Sequence, residues 1–567
     1  MKRIYKYLVF FTLLFFIITG CSDFLDTKID TFNTEDRMET NRNTMSSFAN
    51  AFYAPMQLGF TVIDGNLFAA ASDEAQQTNA ISNVSYLTKG TVNANVNPLS
   101  YLFRNYYEGI RAAYFYLDYA KDGESFLALN RDTSSLADYV NKINYDRDIR
   151  QLNWYRAEAK VAMAYYYSEL IKMYGGVPII DKMVTDFTVG DIPRATYDQV
   201  VEHIVELIDS QIDNIQVDWA THPDNIGTSA GRFDKATALA IKTRALLYAA
   251  SPRNNSGNDQ DKWVRAAKAA HDLIVFKGYT MPENRDYRNS FVGTRLSDGD
   301  YAQECIYFMR RPASNTMETA NYPISTPGGR SGVTPTHNLV SAYEYIGPVD
   351  PSDPYNNRDP RLLTTVVVNG SNWNDRTIDQ APEGADDMNK ANTSTTGYYL
   401  KKFLTDNLNL IQGGTAFHLW PMYRYAEVLL NYAEAMNEAY GPDNIPGEFT
   451  ISARQALMQV RNSASTSLPA ITTVDRNEFR QALKHERRIE LAFEDHRYWD
   501  LIRWKDAETV LNQPVKGVKV TKDMNGIFSY QVVNVAPRVF LDRNYYLPFT
   551  RADVENSKGT LLQNADY

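Results

Sequence analysis

The stretch from Trp154 to Tyr174 (WYRAEAKVAMAYYYSELIKMY) constrains the fold more than any other part of the chain. It is free of Pro and Gly and apolar on nearly every side, so it predicts a helix that lies inside an array of other helices rather than on a surface. Gly175-Gly176 ends it. The neighbouring patterns supply the array. Leu102 to Ala120 is a helix rich in aromatics and alanine, and Thr44 to Leu58 is another. Thr196 with Gln199 has the spacing of a capping box and opens a helix from Tyr197 to Ile215. Asp234 to Ala250 and Asp261 to Phe276 follow, with Ala at the positions where helices cross. Later helices are expected over Met422–Tyr440, Ser452–Ser463, Asp475–Glu494 and Tyr498–Leu511. The fold class is therefore mainly α: a tetratricopeptide-like scaffold of helical hairpins, although the full repeat consensus is not met.

Two segments break this pattern. Asp64 to Ser100 is rich in Asn, Ser, Thr and Gly and reads as a long loop. From about Tyr279 to Gly414 the helical period fades, with only a short helix expected at Thr336 to Tyr345. A loop-rich insertion of that size on a rigid scaffold is where a ligand surface belongs. The last fifty or so residues return to short strands and loops, so few short strands are expected overall.

The N-terminus carries Lys2, Arg3 and Lys6, then an uncharged apolar run from Leu8 to Ile18, which is the order of an export signal. The run is short of the roughly 20 residues a membrane-crossing helix needs. Ile18-Thr19-Gly20-Cys21 resembles a bacterial lipobox, which makes Cys21 the expected lipidation site and residues 1–20 a signal peptide. More than one acyl chain on Cys21 would anchor the protein without spanning the bilayer. The chain has two Cys, so lipidation leaves Cys305 without a disulfide partner; it sits in an apolar Cys-Ile-Tyr-Phe-Met stretch and is expected to be an inert core thiol.

Charge narrows the function classes. With 58 basic against 68 acidic residues the chain lacks the positive field that attracts nucleic acid. His485-Glu486-Arg487-Arg488-Ile489 begins like a zinc-protease helix, but Ile489 stands where the second imidazole must be, so no metal is expected there. No P-loop, dinucleotide fingerprint or Gly-x-Ser-x-Gly elbow is present, and no cofactor is expected. Glu486, Glu490 and Glu494 recur at i+4 on one helix face, as a glycosidase pair could, but the better reading is an ion-pair network tying that helix to its neighbours. Asp73-Glu74 and Asp386-Asp387 read as solvated loop.

The stretch Glu486 to Trp504 (ERRIELAFEDHRYWDLIRW) resembles the signature helix of the SusD/RagB family of outer-membrane nutrient-binding lipoproteins. CSDFLDTK at Cys21, AYYYSELIKMYGGVPI at Ala164, Arg358 to Arg361, YRYAEVLLNYAEAMN at Tyr423 and the closing LLQNADY fit the family's order. Asp495 where Gly is frequent, Tyr546 to Phe549 in place of Trp-Pro-Ile-Pro, and the lack of Pro after Lys28 depart from it. The resemblance implies residues 1–20 as signal peptide, 21–40 as lipidated tether, 41–278 as the N-terminal helical region with the first ligand loop, 279–414 as the loop-rich ligand-binding insertion and 415–567 as the C-terminal helical region and tail. It also implies a lipid-anchored, surface-exposed outer-membrane protein that binds glycans or related nutrients, without catalysis, and passes them to a SusC-like TonB-dependent transporter. A lipid-anchored glycoside hydrolase and a protein-binding scaffold are the alternatives from other classes.

Within that frame Arg424, Glu427, Glu434, Arg487, Glu490 and Arg497 are expected to satisfy one another between packed helices, and Trp499 and Trp504 to fill core. The ligand residues are sought by chemistry: rings that stack on sugars, amides and guanidinium groups that bond their hydroxyls. Tyr86, Asn93 and Asn95 in the first loop, and Tyr322, Arg330 and Trp373 in the insertion, are the candidates.

Overall fold

The computed structural model describes residues 42–121, 127, 139–183, 192–219, 231–276, 278–292 and 304–567. The expected signal peptide, lipidated Cys21 and tether fall outside these residues. Ten helices form the scaffold: α1 (Arg42–Ala51), α2 (Ser100–Ala120), α3 (Tyr139–Tyr174), α4 (Tyr197–Asp209), α5 (Lys235–Ala250), α6 (Gln260–Phe276), α7 (Tyr425–Tyr440), α8 (Ala453–Ala464), α9 (Arg476–Glu490) and α10 (Arg497–Trp504). Successive helices pack as hairpins, α2 on α3, α3 on α4, α5 on α6 and α7 on α8. The expected interior helix is there: from Tyr155 onward most of α3 is buried, and Gly175 ends it in the left-handed region at φ 76°, its N–H closing on the Ile171 carbonyl at 3.1 Å. Thr196 and Gln199 make the capping box that opens α4. None of the described helices is long and apolar enough to cross a membrane.

Strands are few and paired in twos. β1 (Ala75–Gln77) pairs antiparallel with β3 (Val333–Pro335), β2 (Cys305–Ser314) with β4 (Ala416–Arg424), and β5 (Val515–Lys522) with β6 (Phe528–Ala536). β4 takes the first residues of the helix expected from Met422, because its pairing with β2 holds the chain extended through Arg424. Cys305 begins β2 and is only half-buried, so the thiol sits at the margin of the core rather than inside it.

The helix expected over Asp475–Glu494 stops at Glu490, and Phe493 and Asp495 take left-handed φ values of 64° and 61°. That break turns Glu494 inward. Arg424 bonds Glu490 Oε1 through Nη1 and Glu494 Oε2 through Nε, both at 2.6 Å. Arg361 reaches Glu486 at 2.5 Å and Glu490 at 2.9 Å, Arg461 reaches Glu486 at 2.9 Å, and Lys402 reaches Glu494 at 2.7 Å. Arg285 completes the cluster on Glu490 and Glu304. The glutamate row is thus an ion-pair network, as expected, but its cations come from the insertion, β4 and α8 rather than from its own helix.

Of the six signature residues expected to satisfy one another, only Arg424 and Glu490 meet. Glu427 pairs with Arg244, Glu434 with Arg503 and Arg487 with Asp500, each at 2.7 Å, while Arg497 holds Asp73 at 2.8 Å. Trp499 and Trp504 are buried, as expected. The acidic pairs read as solvated loop are mostly buried: Asp73, Glu74 and Asp386 lie in the interior and only Asp387 stays near solvent. Asp73 is held by Arg488 and Arg497, and Asp386 accepts the Ser325 N–H and the Tyr399 hydroxyl at 3.2 and 3.1 Å. Local composition shows a polar loop; the arginines that hold Asp73 lie hundreds of residues away, and the partners of Asp386 come together only in the folded insertion.

Candidate functional site

The first loop and the insertion, far apart in sequence, are sewn into one surface. β1 pairs with β3, the Thr78 N–H donates to the Gly332 carbonyl at 2.8 Å, and the side-chain amides of Asn66 and Asn321 bond each other both ways at 3.1 Å. The approach is close: a Cβ on Gly332 would sit 2.6 Å from the Ala320 carbonyl oxygen, so only Gly fits. Ser331 before it takes φ 49°, and Arg330 is exposed.

Tyr322 and Trp373 lie beneath this surface, not on it. Both are buried, their rings meeting edge to face at 5.9 Å, with Arg288 and Lys401 5.5 and 5.6 Å from the indole. The Tyr322 hydroxyl donates to the Thr405 carbonyl, and the Asn374 side chain accepts the Asn407 N–H at 2.6 Å. This corrects the expectation that they stack on ligand, because a stacking ring must present a face and these are enclosed. With these bonds they hold the 405–414 loop beside the 322–332 loop, where a Cβ on Gly328 would come within 3.0 Å of Leu410.

Tyr86, Asn93 and Asn95 are fastened elsewhere. Tyr86 is half-buried against the core, while Asn93 and Asn95 are exposed. The Asn93 side chain is spent on its own turn, accepting from Asn95 N at 2.9 Å and Val96 N at 3.1 Å. The turn is held to the C-terminal segment, through Arg551 N to the Ala94 carbonyl at 3.0 Å and Val539 N to the Thr88 carbonyl at 2.9 Å. The six candidates therefore divide into an exposed cation, two internal posts and a separate loop.

One residue was missed. The chain has 38 Tyr, 26 Phe and 7 Trp, yet among the described residues Phe417 is the only aromatic more than a third exposed, at 39%. It stands on β4 just after the 405–414 loop, with the Arg310 guanidinium from β2 stacked 4.3 Å from its ring centroid. The next residue, His418, points the other way and bonds Glu318 at 2.8 Å. Alternation along a strand places Phe417 on the solvent face; no signal in the sequence says that β4 is a strand with a wet side.

The loop carrying Arg330 lies beside the 405–414 loop, and Phe417 with Arg310 follows that loop in sequence; we read these as one ridge of guanidinium, amide and one open ring. It can hydrogen-bond hydroxyls and stack against a flat apolar face. The carboxylates that a hydrolase would use as acid and base are buried in the ion network. Burial alone would raise Glu490, but Arg285, Arg424 and Arg361 outweigh it and hold its carboxyl well below the usual range. Burial pushes Lys402 down to about 8 despite Glu494 beside it. Among the described residues no group of three or more His, Cys, Asp or Glu side chains is placed to hold a metal ion.

A helical-hairpin scaffold carrying a polar loop ridge is the class of protein that the fold and this surface define. Two family models match: residues 297–567 match one described as "SusD family", and residues 23–244 one described as "starch-binding associating with outer membrane". A SusD-like protein of Formosa agariphila is 24% identical over 373 residues, covering 64% of this chain and 69% of that one. A SusD-like protein of Bacteroides fragilis superposes with a TM-score of 0.72 at 23% identity, covering 94% of this chain and 99% of that one. A SusD-like carbohydrate binding protein of the same organism gives 0.70 at 21% identity over 92% and 99%. The chain belongs to the SusD/RagB family.

Proposed function

We propose that the protein is a lipoprotein of the outer-membrane surface, tethered by lipid on Cys21, that captures oligosaccharides on its loop ridge and passes them to a SusC-like TonB-dependent transporter without altering a bond. The single observation that carries the reading is Phe417: the one exposed aromatic ring among the described residues, backed by Arg310 and adjoining a loop of exposed amides. Sugar recognition needs an apolar face with polar groups at its rim. Support also comes from the family, whose model over residues 23–244 is named for starch binding at the outer membrane, and from the Bacteroides fragilis neighbour described as carbohydrate-binding. The ion-paired burial of Glu486, Glu490 and Glu494 favours capture over hydrolysis. Tyr86, Asn93 and Asn95 stand as a second, separate contact.

Calorimetry against a panel of soluble glucans and other oligosaccharides tests the reading. Phe417→Ala is expected to weaken binding by about 1 kcal/mol, roughly fivefold, and Arg330→Ala by a similar or smaller factor. Unchanged affinity in the Phe417→Ala, Arg330→Ala double variant sinks the ridge, and new reducing ends on incubation with polymer sink capture without chemistry. Cys21→Ser should move the protein from the membrane fraction to the soluble one, and the transporter should co-purify with the lipidated form only.

A further inference from the structure

The strand pair β5–β6 ends in an open edge. β5 is covered on its far side, where the Val518 N–H donates to the Thr396 carbonyl at 2.8 Å. β6 is not. Its sheet has two strands, and among the described residues no backbone hydrogen bond joins the outer edge of Phe528–Ala536 to another element. Proteins blunt such edges with Lys, Pro or shortness. β6 is nine residues long and its sequence, FSYQVVNVA, holds no charge and no Pro.

The side chains carry the same mark. Tyr530 lies opposite Val520 and Val532 opposite Val518, so these two share the inner face. Val518 and Val520 are buried, and Tyr530 is covered by Tyr355 with rings 5.5 Å apart. Val532 is 50% exposed although it belongs to that face, because no strand lies beyond it, and Ile527 at the strand's entry is 56% exposed.

Charge selects the occupant. β5 exposes Lys516, Lys519 and Lys522, of which only Lys522 has an ion-pair partner, Asp379, among the described residues. The only acid of the hairpin, Asp523, is spent on its own turn, accepting the N–H groups of Asn525 and Ile527. The hairpin is thus a positive ribbon on a chain of net charge −10. A second copy would set one set of lysines beside another. An acidic strand would be steered in and held.

We propose that β6 is a docking edge that accepts an extended, acidic segment of a partner protein as a third, hydrogen-bonded strand, its apolar side chains covering Val532 on the inner face and its carboxylates lying on the outer face, toward Lys519 opposite Gln531. Strand addition takes its affinity from main-chain bonds and its choice of partner from side chains.

Fluorescence anisotropy of the full chain with a labelled peptide alternating valine and glutamate tests this. The acidic peptide should bind at least tenfold more tightly than one alternating valine and lysine, and methylation of every second peptide nitrogen should abolish binding. Val532→Lys should weaken the acidic peptide at least fivefold, and Lys519→Glu should abolish the preference for the acidic peptide while leaving the edge intact. Equal binding of the two peptides, or indifference to N-methylation, overturns the proposal. So does a concentration-dependent dimer in sedimentation that Val532→Lys dissolves, since it gives the edge to a second copy.

Discussion

Glu74 and Asp73 are neighbours in sequence with opposite electrostatic fates. At Asp73, burial raises the carboxyl but Arg488 and Arg497 outweigh it and hold it well below the usual range. At Glu74, burial wins and pushes the carboxyl up to about 8; one oxygen accepts the Phe493 N–H at 3.3 Å and the other, Oε1, has no partner among the described residues. An acid raised on folding binds more protons folded than unfolded, so its contribution is present at low pH and is lost as pH rises from the ordinary Glu value toward 8. Asp73 works the other way, stabilising above its unfolded value and failing only as pH drops through the acid range. Glu74→Gln should therefore gain on the parent between pH 5 and 8, by at most about 1.4 kcal/mol per pH unit. Urea unfolding at several pH values checks this, and a difference that is flat across the window refutes it. Nothing in the local sequence separates the two residues, because Arg488 and Arg497 lie more than four hundred positions away.

At the scale of elements, α9 shows what a sequence reveals and where it stops. Its glutamate row is visible as an i+4 pattern, and so is the conflict of like charges along it. The resolution is not visible, because Arg285, Arg361, Lys402, Arg424 and Arg461 arrive from five places in the chain. The helix end is equally hidden, since the break at Phe493 and Asp495 follows from where Glu494 must point rather than from any helix-stopping residue. Removing one member of a buried set leaves charges uncompensated, which costs far more than losing a surface pair. Glu490→Gln should destabilise by about 3–5 kcal/mol. Arg551→Ala, which removes the exposed Arg551–Glu555 pair, should cost about 0–1 kcal/mol. Denaturant midpoints compare the two, and a Glu490→Gln cost below the surface control would mean the network contributes nothing net. The same limit explains the site. Tyr322 and Trp373 have the right chemistry for sugar in the right region, but ring burial is a tertiary property, and Phe417 became visible only once β4 had a wet face.

For the whole molecule, the scaffold was legible because helical periodicity and capping are local, and the described core is one contiguous cluster reaching from Ala49 to Leu561. The division of the chain into helical regions flanking an insertion is a statement about sequence order. In space, the insertion lends Arg361 and Lys402 to the buried network of the C-terminal helices, and the first loop lends Asp73 to the same helices and β1 to the insertion's β3. An insertion so bonded cannot fold by itself without leaving those charges buried and unpaired, nor can the scaffold keep its glutamate row without the insertion's cations. The two halves should therefore melt together. Calorimetry of the full chain is expected to show a single transition with calorimetric and van't Hoff enthalpies close to equal. Residues 279–414 expressed alone should lack sigmoidal unfolding. Two separated transitions, or a cooperatively folded insertion, would show instead that the loop ridge rests on an autonomous domain and that the ion network is a fastening between finished parts.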